Sequence, residues 1–346
     1  MNTVRIAVVG LGMAAKPHLE ALSQLQEVVK VAGVFNRSRE KAEQVHELYG
    51  WPIYENAQDI AADPNVDGVI LITPADQRKQ FVKLFSTAGK HILSEKPIER
   101  NTEAATELVE ICEAAKVKFG VVFQHRFRAG ARRLRELVEA SELGDLSLVR
   151  AEVPWWREQS YYDAPGRGTY ARDGGGVLIS QAIHVLDLML SLTEPVETVQ
   201  AFCAATKAHE LEAEDFAAAG LRFASGTVGS VVATTATFPG TAESLVIDGT
   251  LGTASLIAGQ LNVFWRDGRT EEVGELSATG GGADPMAFPC DWHRDLIADF
   301  AASISEDRQP RVSGREGLKV HRLIDALVRS SREGATVSLE QEGAEL

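Results

Sequence analysis

The chain has 346 residues, 45% hydrophobic and 24% charged, with a formal net charge of −14. That length exceeds what one ordinary core supports and suits two domains. The acidic balance excludes a nucleic-acid partner, which needs a basic surface, and no apolar run approaches the length of a membrane span.

Three widely spaced cysteines, Cys112, Cys203 and Cys290, show no ligand spacing and suit a reducing cytoplasm better than a disulfide framework. The opening "MNTVRIAVVGLG" has too short an apolar run for a secretory signal. A cytoplasmic protein is expected.

In chain order, "VRIAVV" from Val4 reads as a strand, broken by Gly10 and Gly12 before the helix-periodic "MAAKPHLEALSQL". "VVKVAGVFNRS" is a second strand, followed by the helical "REKAEQVHELYG". Further strands fall at 69–73, 91–94 and 117–123, with helices near 77–88 and 102–115 between them. Strands alternating with helices at this interval predict right-handed βαβ units and a parallel sheet covered on both faces.

The rhythm changes near residue 124. A helix over 128–142 precedes "LSLVRAEVPWWR", a Gly-rich loop and the helical "VLISQAIHVLDLMLSL". Between 196 and 275 several strand-like runs joined by Gly-containing turns predict an antiparallel or mixed sheet. Two amphipathic helices, opening at "DWHRDL" and "GREGLK", close the pattern. The fold class is α/β plus α+β: a nucleotide-type domain over 1–123 and a second domain over 124–346.

"GLGMAA" puts Gly10, Gly12 and Ala15 at the three positions of G-x-G-x-x-G/A. Gly10 allows the tight turn, Gly12 lets backbone approach a pyrophosphate, and Ala15 permits close helix–strand packing. The helix that follows offers N–H groups and a partial positive charge to phosphates. The motif sits between a strand and a helix, the context that dinucleotide binding requires. The second strand ends in Asn36, Arg37, Ser38 and Arg39, with no acid to hold adenosine ribose hydroxyls and repel a 2′-phosphate. Arg37, with Arg39 as a second, is therefore a candidate 2′-phosphate clamp, which favours NADP over NAD.

"HILSEKPIER" raises a different question. Lys96 follows a buried strand, where an ammonium is costly to desolvate unless its charge or proton is used. "GGGVLISQAIHVLDL" supplies candidate company: after Gly174 to Gly176, Ser180 and His184 stand four apart, on one face of a regular helix.

Taken together, "GLGMAAKPH", "TPADQ", "SEKPI", "GGGVLISQAIHVLD" and the closing "FAASISEDRQPRVSGREGLKVHRLIDALVRSS" resemble the Gfo/Idh/MocA family. The resemblance runs in order over nearly the whole chain. It implies a Rossmann domain followed by an α+β domain with an open, mostly antiparallel sheet, through which members form dimers or tetramers. It makes Lys96 similar to the family's catalytic lysine and His184 to the histidine of G-G-x-x-x-D-x-x-x-H, whose aspartate position is Ser180 here. Asp187 is read as structural.

Expected cofactor contacts are Gly10, Gly12, Met13, Ala14, Ala15, Asn36, Arg37, Ser38, Thr73, Pro74, Glu95, Lys96, Pro97 and Gln124. Expected substrate contacts are Lys96, Arg126, Trp156, Arg157, Tyr162, Ser180, Gln181, His184 and His293. Trp155 either packs the domain interface or joins them. The aromatic and cationic run Trp155, Trp156, Arg157, Tyr161 and Tyr162 suits a sugar or polyol, whose rings stack on aromatics. Arg157 and Arg167 could each receive an acidic group or serve as an ion-pair residue. No metal is expected, because no His/Cys/Asp set has ligand spacing.

The expected reaction is hydride transfer between nicotinamide and a secondary hydroxyl or carbonyl, with histidine exchanging the proton and lysine stabilising alkoxide charge. Which of Lys96 and His184 moves the first proton stays open. Two alternatives within the family are a redox-assisted glycoside-cleaving enzyme and a dinucleotide-binding regulator without turnover.

Overall fold

The computed structural model describes residues 3–277 and 290–339. These divide into two compact units, one drawn from Met1–Gln124 and Phe288–Leu318, the other from His125–Ala287 and Lys319–Leu346.

The first unit begins with β1 (Val4–Val9), α1 (Ala15–Gln24), β2 (Val29–Phe35), α2 (Arg39–Tyr49) and α3 (Ala57–Ala62). It continues with β3 (Gly68–Leu71), α4 (Arg78–Thr87), β4 (His91–Ser94), α5 (Thr102–Ala114) and β5 (Phe119–Val121). The strands lie in the order β2-β1-β3-β4-β5 and every pairing between them is parallel. β3 is buried along its whole length, as a central strand covered on both faces must be. The Rossmann reading holds.

The second unit opens with α6 (Ala129–Glu139), β6 (Leu146–Pro154), the single turn α7 (Gln159–Tyr162) and α8 (Ile183–Leu190). Then come β7 (Val196–Ala204), β8 (Phe216–Phe223), β9 (Val228–Thr234), β10 (Ser244–Gly249), β11 (Gly252–Ile257), β12 (Gln260–Trp265) and β13 (Thr270–Val273). Inward residues such as Leu245 and Ile247 alternate with half-buried ones, the signature of a sheet with one covered face.

The chain then returns to the first unit. α9 (Asp291–Ser305) packs against α1 and presents Leu296, Ile297 and Phe300 to its core. Gly120 on β5 leaves room for Phe300, whose ring stands 3.1 Å from where a Cβ would be. The sequence reading placed one boundary at 123/124. Amphipathic spacing shows that α9 buries a face but not which core receives it. α10 (Gly314–Glu333) leads to β14 (Val337–Ser338), which joins the second sheet beside β7. That sheet runs β13-β12-β11-β10-β6-β9-β8-β7-β14, antiparallel except between β6 and β9. No helix among the described residues is long and apolar enough to cross a membrane.

Candidate active site

In the first unit, β1 delivers the chain to Gly10, which turns at φ +99°. A Cβ there would stand 2.6 Å from the Ile72 carbonyl oxygen, so the turn closes only with glycine. Gly12 is different: nothing lies within 4 Å of its virtual Cβ. That bareness leaves the backbone at this position open to a ligand. α1 begins without a side-chain cap and without an acid in its first turn. Ala15 N–H donates to the Gly12 carbonyl at 3.0 Å and Pro17 has no N–H, so the positive end of the helix rather than a full set of free amides is what this turn offers an anion.

A cavity of about 380 Å³ opens here, at the carboxyl ends of β1, β2 and β3. Of the expected residues it gathers Gly10, Gly12, Asn36, Arg37, Ser38, Thr73 and Pro74. Lys41, Gln77, Gln80 and Phe81 also line it, and the sequence reading missed them. Lys41 had a signal, as a further cation in the first turn of α2, just after Arg37. Asn36 ties the turn together, accepting from the Leu11 amide at 3.0 Å. The Thr73 hydroxyl oxygen is buried without a hydrogen-bond partner among the described residues. Met13, Ala14 and Ala15 do not line the cavity: Met13 is exposed and Ala15 is buried at the start of α1. These features fit a dinucleotide.

Arg37 and Arg39 separate. Arg39 pairs with Glu43 at 3.1 Å and with Glu55 at 2.5 Å. Arg37 is exposed and has no such partner among the described residues.

β4 leads to Glu95, Lys96 and Pro97, the last two joined by a cis peptide bond. Glu95 is buried and takes no part in lining the cavity. Its Oε1 meets His18 Nε2 at 2.8 Å, and its Oε2 accepts from the Lys96 amide at 3.0 Å. Burial alone would raise the Glu95 pKa, yet the His18 hydrogen bond and the His18, His293 and Lys96 charges hold it down at about 2.

His293, expected at the substrate, lies instead in the core of this unit. It is 1% exposed, its ring edge-on to His18 at 4.8 Å between centroids. Burial, then the neighbouring His18, lowers its pKa to about 3. His18, Glu95 and His293 are a group of metal-ligand type with ligand atoms within 4.8 Å of one another. The carboxylate oxygen nearest His18 is already in a hydrogen bond with it. Gln124, at the end of this stretch, is buried with its Oε1 unpartnered among the described residues.

In the second unit, Arg126 lies in a short 3-10 turn (Gln124–Phe127) and forms a bidentate pair with Asp187 of α8, at 2.7 and 2.6 Å. Both side chains are at most 5% exposed. Arg126, expected at the substrate, therefore holds α8 in place, and Asp187 is structural as expected. His125, which the sequence reading passed over, stacks on His184 with centroids 4.8 Å apart and planes at 25°. Arg128 donates to His125 Nε2 at 2.8 Å and to Glu243 at 2.8 Å. A guanidinium only donates, so Nε2 of His125 accepts and the ring proton sits on Nδ1.

Residues Leu178–Ala182 form a π turn ahead of α8. Such a turn closes i→i+5 bonds and adds a residue to the helical period, which departs from the regular helix expected over Ser180 and His184. Glu214 starts the turn: its carboxylate accepts from the Gly176 and Leu178 amides, both at 3.1 Å. A Cβ on Gly176 would collide with the Glu214 backbone, which explains the glycine there.

The aromatic run before the glycines is held by side chains from the sheet. Tyr162 is buried and its hydroxyl meets Thr235 Oγ1 at 2.6 Å, so this expected substrate contact is already engaged. His209, also missed, lies between Asp215 at 2.7 Å and the Arg157 carbonyl at 2.7 Å. The Trp156 ring stands over His209 at 5.3 Å, half-buried, with its indole N–H donating to Glu158. Gln181 donates to the Tyr161 hydroxyl at 3.2 Å.

The parallel sheet with its bare glycine turn defines a dinucleotide-binding α/β protein carrying a second, α+β unit. Residues 4–123 match the GFO_IDH_MocA oxidoreductase family, NAD-binding Rossmann fold, and residues 131–255 match the GFO/IDH/MocA C-terminal domain. Myo-inositol 2-dehydrogenase of Thermotoga maritima is 25% identical over 347 residues, covering 98% of this chain and 99% of that protein. The WlbA dehydrogenase of Bordetella pertussis, solved with NADH and UDP-GlcNAcA, superposes with a TM-score of 0.83 at 29% identity. That match covers 99% of this chain and 100% of the other. Levoglucosan dehydrogenase, solved with NADH and levoglucosan, shares the fold at a TM-score of 0.85 and 21% identity, over 98% of this chain and 100% of its own. The chain belongs to the Gfo/Idh/MocA family and is an NAD-binding oxidoreductase.

Proposed function

We propose that this enzyme moves a hydride between a nicotinamide dinucleotide and a secondary hydroxyl or carbonyl of a sugar, polyol or sugar derivative. The observation that carries the reading is the shared sheet edge: the bare Gly12 cavity lies past β1 to β3, and Lys96 leaves the adjoining β4 at the same carboxyl end. In open α/β sheets that edge is where ligands bind and react. The names of inositol, levoglucosan and WlbA dehydrogenases among the relatives point to the same substrate class.

A dinucleotide held at Gly10, Gly12, Asn36, Arg37 and Thr73 would supply the hydride acceptor or donor. Lys96 offers an ammonium to the oxygen of the reacting carbon, where it stabilises alkoxide charge. His184 exchanges the hydroxyl proton, and its ring is kept flat by the stacked His125. Ser180, Gln181 and Trp156 bind substrate hydroxyls or ring faces.

Arg37, with Ser38 and Lys41 on the same cavity wall, favours NADP, since no carboxylate lines that wall. The subunit pairs into a homodimer or homotetramer through the outer face of the second sheet. Phe202, Val232 and Ile257 are exposed there in one cross-strand row. Cys112, Cys203 and Cys290 are free thiols, which suits the cytoplasm.

The test is Lys96→Ala. Turnover with sugars or inositols falls by at least about 10³-fold while dinucleotide affinity stays within about threefold. Activity close to wild type would remove Lys96 from the chemistry. Net reduction of added NAD⁺ or NADP⁺ separates this reaction from glycoside cleavage, which leaves the cofactor unchanged.

A further inference from the structure

Four arginines are buried among the described residues, and three of them face acids. Arg126 holds Asp187 and Arg128 holds Glu243, while Arg78 bonds the Thr73 carbonyl in the field of Glu95, Glu99 and Asp76. Arg157 is the exception. It is 7% exposed, and one nitrogen donates to the Trp156 carbonyl at 2.8 Å. Its Nε is buried with no acceptor, and no carboxylate lies within ion-pair range of it among the described residues. Ring faces stand beside the guanidinium: Trp155 at 5.2 Å and Tyr161 at 5.8 Å. Burial lowers its pKa, and only the Tyr161 and Tyr162 hydroxyls act against that.

An unpaired buried cation costs several kcal/mol, and ring faces recover only part of it. A fold that keeps one in place has a counter-ion arriving from elsewhere, or the site would be an apolar one. The direction is set by Tyr161. Its hydroxyl is bonded to Gln181, three residues before His184, and a second guanidinium, Arg167, stands 4.9 Å from its ring. Arg167 also has a buried Nε without an acceptor, but its charge is balanced by Asp173 at 3.5 Å. The cluster therefore offers two sets of donors and one uncompensated positive charge.

We propose that the substrate is a sugar acid whose carboxylate is received by Arg157, with Arg167 as the second donor. The inference deepens the sugar or polyol reading above and rests on it. One uncompensated charge matches a carboxylate monoanion, whereas a phosphate dianion would remain half unbalanced. A planar guanidinium also presents two parallel donors to a carboxylate's two oxygens.

The test measures kcat/KM on matched pairs with NAD⁺ and NADP⁺: D-glucuronate against D-glucose, D-galacturonate against D-galactose, and glucose 6-phosphate as the phosphate arm. Wild type prefers the acid of each pair by at least about 30-fold, and raising salt narrows that gap. In Arg157→Met the acid-to-neutral ratio drops to within about threefold of unity, and Arg157→Lys restores part of it. Neutral sugars equal to or better than their acids, a preference for the phosphate, or a ratio that Arg157→Met leaves unchanged would each overturn the carboxylate assignment alone. Turnover of none of these, nor of myo-inositol as a polyol arm, would overturn the substrate class itself. The wild-type ratio needs no variant, so misfolding of Arg157→Met, read by its circular dichroism, leaves the assignment open to refutation.

Discussion

Room for a ligand in the phosphate turn comes from atoms left out, because nothing stands where a Cβ of Gly12 would be. In the second unit readiness comes from atoms put in: Arg157 is packed among rings with hydrogen-bonding capacity unspent. The first arrangement costs little stability and depends on backbone. The second stores an electrostatic cost, and the backbone that carries it is tied down by His209, itself paired with Asp215. Substitutions in the two regions should therefore fail differently.

The largest effect is expected at Arg126→Met, which strands the Asp187 carboxylate in the interior. Removing one partner of such a pair costs about 3–5 kcal/mol, seen as a lower denaturant midpoint. A loss under 1 kcal/mol would show that α8 does not depend on the pair.

Next comes pH. His293 has a folded pKa of about 3 against 6.5 for the exposed group, so below 6.5 the unfolded chain takes up a proton that the folded one refuses. Stability then falls as pH drops from 6.5 towards 3, at up to about 1.4 kcal/mol per pH unit. Glu95 adds a loss of the same sign at lower pH: its folded pKa of about 2 lies below 4.5, so its contribution is complete above 4.5 and fades towards 2. His293→Asn should flatten the curve between 6.5 and 4.5, and urea titrations across that range check it. An unchanged slope would relocate the titrating group.

Gly10→Ala and Gly12→Ala sharpen the contrast within one turn. The first forces a Cβ into the Ile72 carbonyl at a left-handed φ and should cost about 2–3 kcal/mol. The second should leave stability within about 0.5 kcal/mol while weakening dinucleotide binding about tenfold or more, measured by NADH fluorescence titration. Equal effects on folding would mean that Gly12 serves the turn and not a ligand.

The smallest effects separate the two arginines after β2. Arg37→Ala should raise KM for NADP⁺ by about tenfold and spare NAD⁺, whereas Arg39→Ala, whose partners are exposed, should alter neither cofactor constant.

These expectations also show what the sequence could convey. The phosphate turn was legible because a tight turn and close backbone approach both demand glycine at fixed spacing, and the parallel sheet because βαβ units have a period. Pairs closed across long separations leave no local mark: Arg126 and Asp187 are 61 residues apart, and nothing in "QHRF" says that its arginine is spent inside the fold. His293 misled for a related reason, since the position of a helix opening does not tell which core it faces. The π turn escaped because a helical period read from apolar residues tolerates one extra residue. Trp156 and Arg157 were found as a composition of rings and charge, but His209, which props them from beneath, stands alone in a polar loop.

Glu95 has one oxygen on His18 of α1 and the other on the amide of Lys96. Glu95 thus links α1, whose N-terminus adjoins the bare glycine turn, to the backbone of Lys96, like two arms on one bracket. A protein engineer who wishes to nudge residue 96 by a fraction of an ångström can therefore work on the packing beneath α1 and leave that side chain unchanged.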